Sequence, residues 1–204
     1  MLYMIEKNVL LIFTKNPQPG KCKTRLASTI GDEKALEIYK ILLNYTADFC
    51  KKVNAQKHVY YSDYINYEDC WENNTFQKFL QTNGDLGEKM NDAFEKTFNQ
   101  GYKKVIIIGT DCAEINQLDI NKAFEQLTNH EVVIGPAMDG GYYLLGMNDH
   151  IPKLFTNKNW STPTLLQETI STLEELNISF DLLPEKSDID NEEDLKRNNY
   201  LKNI

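Results

Sequence analysis

Two stretches of the chain are apolar at nearly every position rather than at every second one: Asn8 to Thr14 (NVLLIFT) and Val105 to Gly109 (VIIIG). Continuous aliphatic runs of this length mark strands covered on both faces, as in parallel sheets flanked by helices. Glu131 to Pro136 and Tyr142 to Gly146 read as two further strands, and Lys57 to Ser62, Lys78 to Thr82 and Ile178 to Leu183 as weaker ones. Between them the apolar period becomes helical. With Asp32 as N-cap, Ala35, Ile38, Leu42, Phe49 and Val53 recur at near-helical spacing. Asp85, with Glu88 three residues on, has the spacing of a capping box and opens a stripe of Met90, Phe94 and Phe98. A third helix covers 117–129. Thr162 as N-cap with Pro163 in the first helical position opens a fourth, running to about Glu175, and Asp190 to Tyr200 forms the last. Residues 63–75 carry neither period and read as a surface excursion.

Strands alternating with helices predict a Rossmann-like three-layer α/β/α fold around a mostly parallel mixed sheet. No repeat, linker or low-complexity stretch divides the sequence, so one domain is expected over residues 1–204. In such a sheet ligands bind outside the carboxyl ends of the strands, and the candidate chemistry is sought there.

Composition narrows the classes. At 41% hydrophobic and 25% charged, the 204 residues match a globular chain with a substantial core rather than a disordered one. The net charge of −8 makes nucleic acid and anionic membrane poor partners, since both are polyanions. Leu10 to Phe13 is too short to span a membrane and Met1 to Lys7 lacks the layout of a signal peptide, so cytoplasm with reduced thiols is the expected setting. Cys22, Cys50, Cys70, Cys112 and the three histidines have no zinc-site spacing. Cys112 reads as a small space-filling residue, with no histidine near it in sequence to activate it.

Against that acidic background, four cations fall within eleven residues just past the first strand: Lys15, Lys21, Lys23 and Arg25. Pro17 and Pro19 stiffen the loop and Gly20 permits an unusual backbone angle. In an extended segment Lys21, Lys23 and Arg25 would point to one side and could neutralise a polyphosphate; otherwise the segment is a solvated basic turn. It is neither a Walker A loop nor a GxGxxG turn. Asp111 follows the most apolar strand and suits either Mg²⁺, which prefers oxygen ligands, or a helix N-cap. Asp139-Gly140-Gly141-Tyr142 could bring backbone close to a ligand or simply turn a hairpin. Asp188 and Asp190 alternate and so could share one face, while Asp190 with Glu193 also fits a capping box on the last helix.

As an ordered set these motifs are specific. The chain resembles a bacterial family of GT-A-type transferases, the arsenosugar-biosynthesis or radical-SAM/selenodomain-associated glycosyltransferases. The residues that carry the resemblance are KNPQPGKCKTRL, GDLGEKM from Gly84 to Met90, GTDC, GPAMDGGYYLLG, Trp160-Ser161-Thr162 and DIDNEEDL. More distantly it is similar to the phospholactate guanylyltransferases and the molybdenum-cofactor nucleotidyltransferases. Ala113 stands where that family usually has proline, and Lys89 where arginine is frequent. The resemblance implies a GT-A fold and a nucleotide or nucleotide-sugar donor held by Lys15, Pro19, Gly20, Lys21, Lys23, Arg25, Gly84 and Gly87. It implies Mg²⁺ (or Mn²⁺) on Asp111, Asp188 and Asp190, and a small-molecule acceptor at Asp139, Gly140, Gly141 and Tyr142. Asp111, Asp139 and Lys23 are then the catalytic candidates. Glycosyl transfer from a nucleoside-diphosphate sugar is the first expectation. Nucleotidyl transfer with release of pyrophosphate is the second, and an inactive nucleotide-binding partner the third.

Overall fold

The computed structural model describes residues 8–198. The amino-terminal heptapeptide and Tyr200, the expected end of the last helix, lie outside the described residues. Seven strands form one sheet: β1 (Asn8–Thr14), β2 (Gln56–Tyr61), β3 (Gln77–Leu80), β4 (Lys104–Ile108), β5 (Val132–Pro136), β6 (Tyr142–Met147) and β7 (Phe180–Leu182). Their order is β3-β2-β1-β4-β6-β5-β7. All neighbours are parallel except β6, which runs antiparallel to both β4 and β5. The reason is the connection: residues 137–141 are too few to cross over the sheet, so they can only turn the chain back. The sequence reading of a mostly parallel mixed sheet within an α/β fold holds.

The continuous apolar runs are explained by the two faces they cover. On β1, Leu10 and Ile12 pack under α2 (Asp32–Cys50) and α4 (Gln117–Gln126), with Tyr39, Leu43, Ala47, Ile120 and Phe124. The alternate residues Val9 and Leu11 pack under α3 (Leu86–Asn99) and α5 (Leu165–Glu175), with Met90, Phe94 and Leu173. A third, smaller cluster joins Leu26 of α1 (Thr24–Ile30) to Ala35, Ile38 and Leu42 of α2. It also takes in Ala113, Ile189 and Leu195 of α6 (Glu192–Arg197). That cluster brings the basic loop, the segment after β4 and the Asp188–Asp190 segment together.

Several local expectations are corrected. Helix α1 was not expected, because its seven residues hold only one fully buried side chain, Leu26, and show no stripe. The cap of α2 is Gly31, not Asp32, and the helix ends at Cys50, with Val53 buried just beyond it. Helix α5 starts at Leu165 after Thr164, so Thr162 and Pro163 belong to the preceding turn. Helix α6 is capped by Asn191 with Asp194 as its reciprocal partner, one residue on from the expected pair Asp190 and Glu193. The excursion after β2 contains no regular element, yet it is anchored. Trp71 and Phe76 are buried in the core, and Lys78 Nζ binds Asp69 Oδ1 at 2.9 Å and the Asn66 carbonyl at 2.7 Å. Among the described residues no helix is long and apolar enough to cross a membrane.

His58 on β2 is buried between Phe79 and Tyr102, and neither ring nitrogen has a hydrogen-bond partner among the described residues. Burial lowers its pKa to about 4 from the ordinary 6.5. A group kept neutral in this way withholds a proton that the unfolded chain takes up, so stability falls as pH drops from 6.5 towards 4. Between pH 7.5 and pH 5 this amounts to about 2 kcal/mol. His58→Phe is therefore expected to flatten that part of the pH profile in urea titrations; an unchanged slope would assign the acid sensitivity to other groups.

Candidate functional site

A cleft of about 620 Å³ opens at the carboxyl ends of β1 and β4. From β1 the chain goes on to β2 on one side, while β4 lies on the other. That reversal of strand order is where an α/β sheet leaves a crevice for ligands.

The floor is electrostatic. Lys23 Nζ lies 3.3 Å from Asp111 Oδ2 and 3.4 Å from Asp190 Oδ1, and its side chain is only 5% exposed. Arg25 reaches the other Asp190 oxygen at 3.3 Å, from a side chain that is 70% exposed. Burial works against the Lys23 charge, but Asp111, Asp190 and Asp188 outweigh it and its pKa stands above the ordinary lysine value. Reciprocally, the Lys23 charge holds the Asp111 carboxyl below the usual range. Asp188 goes the other way: burial first, then Asp111, push its pKa well up, and Lys23 offsets this only in part. Its Oδ1 is buried without a hydrogen-bond partner among the described residues.

Local structure explains how Lys23 arrives there. Residues 19–22 turn rather than extend, with Lys21 N donating to the Gln18 carbonyl at 3.2 Å. Lys23 has a left-handed backbone, φ 49°, and Arg25 is already in α1. The expected alternation of Lys21, Lys23 and Arg25 in an extended strand is thereby corrected. Lys21 is exposed and off the cleft wall, as are Pro19 and Gly20. Of the basic loop, Lys15, Lys23 and Arg25 line the cleft. Gly84 and Gly87 do not line it. Gly84 precedes the Asp85 cap of α3, and the place of a Gly87 side chain is filled by the indole of Trp160.

The opposite wall comes from the β5–β6 hairpin and the approach to α5. Asp139, Gly141 and Tyr142 line the cleft, so the segment both turns the hairpin and faces the cavity. Asp139 Oδ1 accepts from Gly141 N at 2.9 Å. The Tyr142 hydroxyl is buried. Gly140 does not face the cleft; its carbonyl accepts from Leu166 N at 2.9 Å and ties the hairpin to α5.

Sequence reasoning assigned no role to Tyr39 or Asn16. Tyr39 of α2 accepts a hydrogen bond from Lys15 N at 2.9 Å and meets Thr110 Oγ1 at 3.1 Å, clamping both strand ends. Asn16 ties the loop to the excursion, accepting from Asp63 N at 3.0 Å and donating to the Tyr64 carbonyl at 2.9 Å. Tyr39 lies within an ordinary-looking helical segment, and Asn16 within the KNPQPGKCKTRL motif, where the cations drew the attention. Trp160 and Lys89, quoted above only as parts of motifs, also line the cleft.

A divalent ion was expected on Asp111, Asp188 and Asp190. Among the described residues no three acidic, histidine or cysteine side chains are set at metal-holding spacing. An ammonium group stands between Asp111 and Asp190 instead, and Asp190 is engaged by two cations. What fits Mg²⁺ is the narrower pair of Asp111, with a 45% exposed side chain, and Asp188, with an unpartnered oxygen. Mg²⁺ commonly uses one or two carboxylates and completes its shell with water and substrate phosphate.

A search of the curated proteins found no match. Among solved structures, a protein named as a candidate nucleotide-diphospho-sugar transferase from Desulfovibrio desulfuricans is 28% identical, with a TM-score of 0.86. The match covers 91% of this chain and 83% of that one. A cytidylyltransferase from Leptospira borgpetersenii is 17% identical with a TM-score of 0.59, covering 93% of this chain and 83% of that one. The inositol-1-phosphate CTP transferase from T. maritima is 12% identical with a TM-score of 0.55, covering 98% and 94%. The last two share the fold. A family model described as an uncharacterized protein conserved in bacteria, DUF2064, matches residues 46–162, a span that holds Asp111, the Gly84–Gly87 turn and the Asp139–Tyr142 hairpin. With more than half of its length inside that match, the chain belongs to the DUF2064 family.

Proposed function

We propose that the protein is a transferase using a nucleotide-activated donor, with a nucleoside-diphosphate sugar as donor and a small molecule as acceptor. The observation that carries the reading is Lys23, a nearly dry ammonium fixed between Asp111 and Asp190 on the floor of the cleft. A phosphate chain leaving a nucleotide donor gathers negative charge, and a cation already held in place stabilises it without reorganising. Lys15 and Arg25 extend the positive wall outward. Asp139 is the group on the acceptor side that could take a proton. In this reading Asp111 and Asp188 hold Mg²⁺ (or Mn²⁺), which when bound neutralises phosphate charge. The sugar donor is supported by the name of the 28%-identical structure.

A second reading, nucleotidyl transfer with release of pyrophosphate, is favoured by the three cations on one wall, since a triphosphate carries more charge to neutralise. The two separate in one experiment. The protein with Mg²⁺ and a panel of nucleotide sugars or nucleoside triphosphates is followed by thermal shift. Released nucleoside diphosphate and pyrophosphate are then assayed. Mg²⁺-dependent stabilisation by nucleotide sugars is expected, about 2.7 kcal/mol at a hundredfold excess over Kd. Acceptor-dependent pyrophosphate would promote the second reading. No stabilisation by any nucleotide would reject both.

A further inference from the structure

We propose, resting on the nucleotide-sugar reading, that Trp160 is the platform on which the sugar ring of the donor lies, and so a specificity-determining residue of the cleft. Its indole lines the cleft and fills a notch over the first turn of α3 that exists because residue 87 is glycine. A Cβ there would stand 2.5 Å from three indole atoms. The segment that carries it is bent into place: Asn157 and Ser161 both have left-handed backbones, φ 55° and 61°. Such a conformation is uncommon for serine and persists where the surroundings over-determine it, as around ligand clamps. Those surroundings are present. Lys158 Nζ donates to the Glu168 carbonyl at 2.7 Å, Thr162 Oγ1 to the Asn159 carbonyl at 2.7 Å and Thr164 Oγ1 to Glu168 Oε1 at 2.7 Å.

The segment that carries Trp160 is tied to the β5–β6 hairpin. Leu166 N, six residues past Trp160, is bonded to the Gly140 carbonyl, which joins the end of this segment to the hairpin that carries Asp139, and Asp139, Asp188 and Lys23 line the same cleft as the indole. The bond that breaks must lie next to Lys23, so the group being transferred lies there too. The far end, beside Thr14 and Gln81, is left for the nucleoside; there the Gln81 amide donates to the Tyr60 carbonyl at 3.0 Å. An indole face suits the C–H side of a pyranose ring, which combines apolar area with fixed geometry.

The test uses the intrinsic fluorescence of the intact protein, which has two tryptophans. Trp71 is 1% exposed and packed on Phe76, so a ligand-dependent change reports on Trp160. The probes are UDP-glucose against UDP and GDP-mannose against GDP, each with Mg²⁺. The nucleotide sugar should change the emission where its nucleoside diphosphate does not, and the change should vanish in Trp160→Phe. Trp160→Ala should weaken nucleotide-sugar binding about tenfold while leaving the diphosphate unchanged, and Trp160→Phe should recover most of the loss. Equal emission changes from sugar-bearing and sugar-free nucleotides, or equal affinity losses for both, would overturn the inference and leave the donor reading standing. If no nucleotide of either kind binds the wild-type protein, the donor reading fails and the inference with it.

Discussion

Lys23→Met is expected to weaken donor binding and to lower turnover at least a hundredfold, on the scale seen when one preorganised donor to a developing oxyanion is removed. The same variant should carry an electrostatic signature that an ordinary packing defect lacks. Methionine keeps most of the volume and the apolar stem but removes the charge that Asp111 and Asp190 share. Asp111 and Asp188 then lie near each other without the Lys23 charge, while Arg25 stays on Asp190, and the pKa values of Asp111 and Asp188 should rise. Asp188 already stands well above the ordinary carboxylate value with Lys23 present. A carboxyl whose folded pKa is raised gives stability below its unfolded pKa and loses it as pH climbs through the folded value. Lys23→Met should therefore be less stable than wild type near pH 8 and should close the gap as pH is lowered. Mg²⁺ should stabilise the variant more than the wild type, because a divalent ion replaces the missing ammonium. Melting temperatures at several pH values, with and without Mg²⁺, measure both effects. A loss of stability independent of pH and Mg²⁺ would mean that Lys23 serves packing alone.

The contrast between Lys23 and Lys21 shows what the sequence could and could not reveal. The density of cations after the first strand was legible, and so was its place at the carboxyl end of a central strand, because apolar runs announce buried strands. Which cation enters the cleft was not. That depends on the turn at Gln18–Lys21 and on the left-handed backbone of Lys23, neither of which leaves a periodic trace. Asp111, Asp188 and Asp190 were legible as a group, since each follows or precedes a recognisable element. Their meeting around a lysine was not, because it is produced by the packing of Leu26, Ala113, Ile189 and Leu195, residues distant in sequence. Tyr39 falls inside the predicted helix but outside its apolar stripe. Its hydroxyl becomes the clamp between two loops only once α2 lies across the sheet.

The largest effect on stability is expected from Gly140→Ala. Gly140 has φ +87°, a conformation that alanine adopts at a cost of roughly 1–3 kcal/mol. Space adds to that cost. A methyl group at this position would collide with the Pro163 carbonyl, and its Cα and carbonyl carbon would be 2.6 Å away. Those atoms are backbone, so no rotamer change relieves the contact. Relief requires moving the turn that precedes α5, and the Leu166 N to Gly140 carbonyl bond is lost with it. Strain and broken contacts together should cost about 2–4 kcal/mol, which for a chain of this size lowers Tm by roughly 5–15 °C. Gly141 is the control. It carries no left-handed backbone, and a Cβ there would first meet a side-chain atom, Asp139 Oδ1 at 3.2 Å, which can rotate away. Gly141→Ala should therefore leave Tm within a few degrees while disturbing the aim of Asp139 into the cleft, and so it should act on turnover. Comparable melting temperatures for the two variants would show that the Gly140–Pro163 contact does not hold this wall of the cleft in place.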